Sequence, residues 1–571
     1  MGLTPDPAVL QRLSLPVHDV HEERDVFVTM RDGVRVAIDV FRPRAEGRYP
    51  ALVSISGYGK DVQTRLERPL PLSPQRGNGG QEAGDTDFWV KRGYVHVIVD
   101  ARGSGKSEGE YSFMGLDEQL DGAEMVEWAA AQPWCSGKVG MLGMSYFGVM
   151  QWLVATHQPP HLTAIAPYEA LVDRYRYSFC HGGILNEGFF HQWWGHVSVG
   201  PMRPMAYRYL GEEEVERRRR ALLASPEVKD SPFLYVTLTF PEKNPLLFDV
   251  LVQPLDTEFS QERSPVHKLH KVRIPCFLAT RWSGWPIHLP GVLTGWENLP
   301  HNSNKKLFLM ETPSVHGPLR PWRDHQDILL RWYDHWLKNN DTGMMEEPPV
   351  TYLVKGADEW HVASDWPLPG TEWTTYHLHG DGSLDTTAPR DDESVRSFTN
   401  DPFLYPGQEV PGLRYTTGEL DADLTLVGPI TLALSAELDQ PDATWFVTLR
   451  DVAPDGKSAT ISKGWLRASH RKTDARRSRP WKPFHPHDEV VPVPAGEVLE
   501  YAISVVETSM CFRKGHRLSL EIRGQDTPAE DPVWYHLCNG TPTRHTIHHS
   551  TANPTSVVLP VQVRSSAPVL P

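Results

Sequence analysis

Short, continuously apolar runs punctuate residues 50 to 340: ALVSIS (51–56), VHVIVD (95–100), KVGMLG (138–143), LTAIAP (162–167), IPCFLAT (274–280) and KLFLME (306–311). Each is bounded by Gly, Pro or charge. Unbroken apolarity, rather than alternation, is what a parallel strand covered on both faces requires. Between them, DEQLDGAEMVEWAAAQ (117–132) and DILLRWYDHWLKN (327–339) carry helical spacing. The second puts Leu329, Trp332 and Trp336 on one face, able to close against a sheet. Strands alternating with helices predict a doubly wound α/β domain.

Two stretches break this rhythm. About a hundred residues between LTAIAP and IPCFLAT are aromatic and helix-prone, as in GGILNEGFFHQWWGHVSV and GEEEVERRRRALLA, and supply no clear sheet strands. A helical cap folded over the strand ends fits them. After NNDTGMMEEPP (339–349), a linker, short alternating segments such as TWFVTLRDV, VLEYAISVVET and HRLSLEIRG are separated by Pro, Gly and Asp turns. That is the pattern of an antiparallel β-sandwich of jelly-roll type. The expected divisions are 1–169 and 265–345 for the α/β domain, 170–264 for the cap and 350–571 for the jelly roll. No fixed-period repeat is present.

The length of 571 residues agrees with several domains. Charged residues make up 23 % and the net charge is −15, with no basic block to offset it. RRRR at 217–220 follows GEEEVE and reads as one helix of mixed charge, so nucleic acid is not an expected partner. Five cysteines without a CxxC spacing do not make a disulfide framework. The N-terminus lacks the basic start and apolar core of a signal peptide, and no run approaches a membrane span. The expectation is a cytoplasmic protein without a membrane partner.

Chemistry enters at GMLGMSYFGVM (140–150). Ser145 follows a predicted strand and precedes the apolar helix YFGVMQWLVATHQ, the strand–turn–helix context of a nucleophile elbow. Gly143 and Gly148 remove side chains that would collide as strand and helix close. Phe147 stands where the five-residue elbow has Gly, so the match is to the looser G-x-S-x-x-G. A serine needs a base, and in α/β hydrolases the order is nucleophile, acid, histidine. His316 follows the strand at 306–311 by five residues and is the expected base.

Two competing motifs are weaker. DARGSGKSEG (100–109) contains Gly-Lys-Ser after a strand, but Asp100 stands where a phosphate loop needs Gly and its carboxylate would repel the ligand. A turn pinned by Asp100 and Arg102 is expected instead. The histidines of HPHD (485–488) and HTIHH (545–549) lack matched carboxylate or Cys spacing, so neither a metal nor another cofactor is expected.

VTMRDGVRVAIDVFRP, YPALVSISGYGK, VIVDARGSGKSEGEY and GMSYFG, in that order, resemble the cocaine esterase and X-Pro dipeptidyl-peptidase group of serine hydrolases. LRDVAPDGKSATISKGWLRASHR and FRKGHRLSLEIRG are similar to the jelly roll of that group. The resemblance implies an α/β-hydrolase domain with an inserted helical cap and a C-terminal jelly-roll β-sandwich. It further implies Ser145 as nucleophile, His316 as base, and an oxyanion hole from the backbone N–H of Tyr146 and the phenol of Tyr58.

One departure stands out. The group carries its acid as an Asp in a Trp-rich loop resembling GWYDG. This chain reads ATRWSGWPIH, with Gly284 at the matching position and no carboxylate from Ala279 to Thr294. Losing only the acid of a Ser-His-Asp system lowers kcat by about 10⁴. Glu169, in APYEALVDRYR, follows the strand next to the elbow and is the first candidate for the acid. Its bland alternative is that Glu169 or Asp173 caps the start of the inserted segment. Glu297 is a weaker candidate, and a Ser-His dyad is a further one.

Phe189, Phe190, Trp193 and Trp194 in the cap, with Trp282 and Trp285, are candidates either for an apolar pocket or for the cap's own packing. The expected activity is hydrolysis of a small-molecule ester or amide of an apolar acyl group. The alternatives are an impaired homologue that binds a small molecule or partner, and an acyltransferase using the same serine. Association into a homo-oligomer is left open.

Overall fold

The computed structural model of the protein describes residues 7–63, 82–197, 202–284, 286–311, 321–404, 408–527, 529–531 and 533–562. Its first sheet is built from β1 (Val20–Thr29), β2 (Arg35–Pro43), β3 (Tyr49–Ser56), β4 (Val95–Asp100), β5 (Cys135–Met141), β6 (Leu162–Ile165), β7 (Cys276–Arg281), β8 (Lys305–Met310), β9 (Val350–Val354) and β10 (Glu359–Ala363). The spatial order is β1-β2-β4-β3-β5-β6-β7-β8-β9-β10. Strands β3 to β9 run parallel to one another, and the antiparallel pairings lie at the two ends.

The six apolar runs are all strands of this sheet. Their successive side chains point to opposite faces, and both faces are covered. On one, Leu52, Phe277 and Phe308 pack with Leu329, Trp332 and Tyr333 of a helix at Pro321–Lys338. On the other, Val53, Val139, Ile165 and Leu278 pack with helices α1 (Leu116–Ala131), α2 (Tyr146–Ala155) and α4 (His288–Glu297).

Residues between β6 and β7 form the cap. Its helices include α3 (Glu187–Val197) and the mixed-charge helix Glu212–Ala224, and its strands are a two-residue hairpin at Cys180–His181 and Ile184–Leu185. A single turn of π-helix at Tyr175–Phe179 precedes the hairpin.

The second sheet begins at Glu372, because β9 and β10 extend the first sheet across the division expected at residue 350. Its strands pair antiparallel throughout, as a jelly roll does. Leu432, Leu434, Trp445, Val447, Ile503 and Leu520 belong to its own core. Among the described residues no helix is long and apolar enough to cross a membrane. All five cysteines are unpaired.

Candidate active site

Strand β5 delivers its chain into a turn so tight that Ser145 adopts φ 54° and ψ −116°, a conformation L-residues avoid. The turn closes because two positions lack a side chain. A Cβ on Gly143 (φ +130°) would fall 2.3 Å from Cβ of Phe147. One on Gly148 would fall 2.7 Å from the Tyr168 carbonyl oxygen. Ser145 caps α2, so the N–H of Tyr146 opens the helix without an intrahelical acceptor. It is therefore available to an anion.

The chain after β6 returns to the same place. Ser145 N–H donates to the Tyr168 carbonyl at 3.0 Å, and Glu169 N–H donates to the Ala279 carbonyl of β7 at 2.8 Å. Glu169 is fully buried. Arg281, the last residue of β7, donates both Nε and Nη2 to its carboxylate, the latter at 3.1 Å. The paired carboxylate in turn pushes the pKa of Arg281 up. Of the two candidates for capping, it is Asp173 that caps: it accepts from the N–H of Arg176 at 3.0 Å and pairs with its guanidinium.

A histidine that the sequence patterns did not single out completes the group. His288 is the first residue of α4, just past β7. Its Nε2 lies 3.4 Å from Ser145 Oγ, and its Nδ1 lies 3.4 Å from Glu169 Oε2. Both distances exceed a tight hydrogen bond, which is common where no substrate is bound. A serine hydroxyl, an imidazole and a carboxylate are thus aligned, in the chain order Ser145, Glu169, His288. Gly284 borders the same histidine, since a Cβ there would come 3.4 Å from Cβ of His288. His316 lies outside the described residues.

Tyr58 sits over the elbow. Its ring meets Tyr146 edge-on at 5.3 Å and Phe147 at 6.1 Å, and its phenol oxygen accepts from Trp193 Nε1 at 3.1 Å. The Tyr146 side chain points away, donating to the buried Glu118 at 2.6 Å and accepting from Tyr111 at 3.1 Å. Burial pushes the Glu118 carboxyl up to about 7. Of the other aromatic candidates, Phe190 is buried and Phe189 is partly buried. Trp282 is buried and donates to the Leu353 carbonyl, as packing would have it. Trp285 and the side chain of Trp194 lie outside what the structure describes. Glu297 is spent elsewhere, paired with Lys482 at 3.1 Å.

The competing motifs make the following contacts. Asp100 accepts from the backbone N–H groups of Lys60 and Lys106, and Arg102 pairs with Asp121 and Asp32, so the glycine-rich segment is a pinned turn. Three carboxylates that converge, Asp25, Asp39 and Asp61, surround the ammonium of Lys60, 2.9 Å from Asp39 and 3.0 Å from Asp61. His485 faces the carbonyls of Lys472 and Ala502, and His549 meets the Tyr415 phenol and the Ser394 carbonyl.

An α/β-hydrolase sheet with a capped active-site face, a strained serine elbow and a jelly roll defines the class of serine hydrolases of esterase and peptidase type. The chain belongs to the X-Pro dipeptidyl-peptidase (S15) family, whose model matches residues 32–323, and the X-Pro dipeptidyl-peptidase C-terminal non-catalytic domain matches residues 342–558. It is 30 % identical to a Mycobacterium bovis protein provisionally named a serine esterase, over 90 % of this chain and 92 % of that protein. It is 26 % identical to the cocaine esterase of a Rhodococcus species, over 94 % of this chain and 98 % of that enzyme. A CocE/NonD family hydrolase from Staphylococcus aureus shares the fold, with a TM-score of 0.77 at 24 % identity over 95 % of this chain and 94 % of that one. The protein is an enzyme of this hydrolase family.

Proposed function

We propose that the enzyme hydrolyses an ester or small amide of an apolar acyl group through an acyl-enzyme on Ser145. The observation that carries this reading is the line from Ser145 Oγ through His288 to Glu169, with 3.4 Å at each step. Ser145 Oγ attacks the carbonyl carbon while His288 Nε2 takes its proton. The tetrahedral oxygen is held by the Tyr146 N–H and the Tyr58 O–H, two donors aimed where charge develops. His288 then protonates the leaving alcohol or amine. A water, deprotonated by the same imidazole, releases the acid. Glu169 accepts from Nδ1–H, fixing the tautomer that leaves Nε2 basic, and Arg281 pairs with the same carboxylate.

An apolar acyl group fits the aromatic cluster that reaches Tyr58 through Trp193, with Phe113 and Phe189 packed on that indole. Relatives named a cocaine esterase and an X-Pro dipeptidyl-peptidase support attack on a carbonyl carbon. A second reading gives the base to His316, favoured by its position in the loop after β8.

Labelling with a fluorophosphonate probe, with the modified peptide located by mass spectrometry, tests both readings. Label on Ser145 that is absent in Ser145→Ala supports the covalent serine. His288→Ala is expected to slow labelling by about 10³-fold or more while His316→Ala leaves it unchanged. The reverse pattern moves the base to the loop. No labelling of a folded protein favours an impaired homologue that binds rather than cleaves.

A further inference from the structure

We propose that Trp193 is a positioning residue for the phenol of Tyr58, and that the jelly roll takes part in catalysis by clamping the helix that carries Trp193. The inference rests on the oxyanion role given to Tyr58 above.

An indole nitrogen can only donate, so in the 3.1 Å contact from Trp193 Nε1 the phenol oxygen of Tyr58 is the acceptor. The hydrogen of Tyr58 is then not the one in this contact. A hydroxyl that accepts one hydrogen bond becomes a better donor in the next. The Tyr58 ring also meets Tyr146 and Phe147 edge-on, the two residues that follow Ser145. Tyr58 is thus held between the elbow and the cap.

Trp193 is itself set by a stack that leaves the cap. Its ring lies on Phe189 at 5.3 Å and 16°, and Phe189 lies on Trp534 of the jelly roll at 5.7 Å and 13°. Phe113 meets Trp193 edge-on at 5.5 Å. Helix α3 is bolted to the same jelly-roll segment by backbone and side chain. Gly188 N–H donates to the Tyr535 carbonyl at 2.9 Å, Leu537 N–H donates to the Leu185 carbonyl at 3.0 Å, and His191 Nδ1 is 3.1 Å from the Tyr535 hydroxyl. A Cβ on Gly188 would fall 2.6 Å from the Tyr535 ring and 2.8 Å from the Val533 carbonyl oxygen. The helix seats this closely because residue 188 has no side chain. The chain of contacts runs from Trp534 through Phe189 and Trp193 to the phenol.

A group that tunes a transition-state donor alters kcat and leaves KM nearly untouched, whereas a wall of the acyl pocket alters KM. The test is a double-mutant cycle with p-nitrophenyl butyrate on the full chain. Tyr58→Phe is expected to lower kcat by about 10²-fold. Trp193→Phe keeps the ring stack and removes the N–H; it is expected to lower kcat by about tenfold, with KM within about twofold. In the Tyr58→Phe background, Trp193→Phe is expected to have no further effect. Gly188→Ala, which unseats α3 against the Tyr535 ring without replacing an aromatic residue, is expected to follow Trp193→Phe in both backgrounds. Unchanged kcat in Trp193→Phe, or an equal loss in both backgrounds, overturns the proposal while leaving the oxyanion role of Tyr58 intact. Unchanged kcat in Tyr58→Phe removes that role and the proposal with it.

Discussion

Ser145 and Glu169 close neighbouring parallel strands, and both hold a left-handed backbone, with φ of 54° and 46°. Tyr168 lies between them: its carbonyl accepts the Ser145 N–H at 3.0 Å, while Glu169 reaches the next strand through Ala279. Backbone strain of about 1–3 kcal/mol per residue persists where the surroundings over-determine it. Here the surroundings are three parallel strand ends, and the two strained residues are the ones that His288 bridges. Gly284 borders the imidazole without a carboxylate, and the one beside it comes from the end of the adjacent strand.

Replacing Glu169 by Gln keeps the shape and removes the charge. The imidazole loses the partner that fixes its tautomer, so kcat is expected to fall by about 10²–10⁴-fold with KM changed far less. Arg281 is left without its counter-charge, so the variant is also expected to melt at lower temperature. Steady-state kinetics well below that melting point separate the two effects. Wild-type kcat in Glu169→Gln would assign Glu169 to Arg281 alone.

The strain at Ser145 predicts a gain in stability from losing its side chain. Ser145→Gly removes the Cβ that makes φ 54° costly, and is expected to stabilise the fold by about 1 kcal/mol while abolishing turnover. Denaturant unfolding of the variant beside Ser145→Ala, which keeps the Cβ, measures it. Equal midpoints for the two variants would place the strain elsewhere.

Much of this frame is legible in the residues. Parallel strands buried on both faces must be apolar throughout, so the six runs between Ala51 and Glu311 stand out. The elbow is legible because a tight strand-to-helix turn needs small neighbours, and Gly143 and Gly148 supply them. Strands β9 and β10 are harder, since a five-residue apolar strand looks alike at the edge of either sheet. His288 is hardest. It stands between Ile287 and Leu289 in a Pro-rich stretch, and its contact with Ser145 spans 143 positions of sequence. One signal was present: between Ala279 and Thr294, Arg281 and His288 are the charged or titratable side chains, and a loop stripped of carboxylate had kept an imidazole.

Gly148 gives a packing prediction independent of the chemistry. A methyl there would meet the Tyr168 carbonyl oxygen at 2.7 Å and Cβ of Ala170 at 2.8 Å, both on rigid neighbours. Gly148→Ala must push α2 away from the segment carrying Glu169. It is expected to cost about 1–3 kcal/mol of stability and to lower kcat, because Ser145 and Glu169 separate. Thermal melting and kcat measured on one preparation test the coupling. A full loss of stability with wild-type kcat would mean that the elbow yields without moving the site.

Glu118 adds a pH dependence of defined sign. Its carboxyl is fully buried, accepts from Tyr146 and from the Met114 N–H, and is raised from 4.5 to about 7 by desolvation. Between those values the folded state holds a proton that the unfolded state has lost. Glu118 therefore costs no stability below about pH 4.5, and its contribution falls as pH rises towards 7. Above that the loss levels off at about 3 kcal/mol, the free-energy equivalent of the shift. Glu118→Gln cannot ionise, so its stability relative to the wild type is expected to climb from pH 5 to pH 7.5 and then stay level. Urea unfolding across that range measures the difference. A constant difference would show that Glu118 ionises in the folded protein as it does in the unfolded chain. A parallel change in kcat would tie the Glu118–Tyr146 contact to the oxyanion role proposed for the Tyr146 N–H.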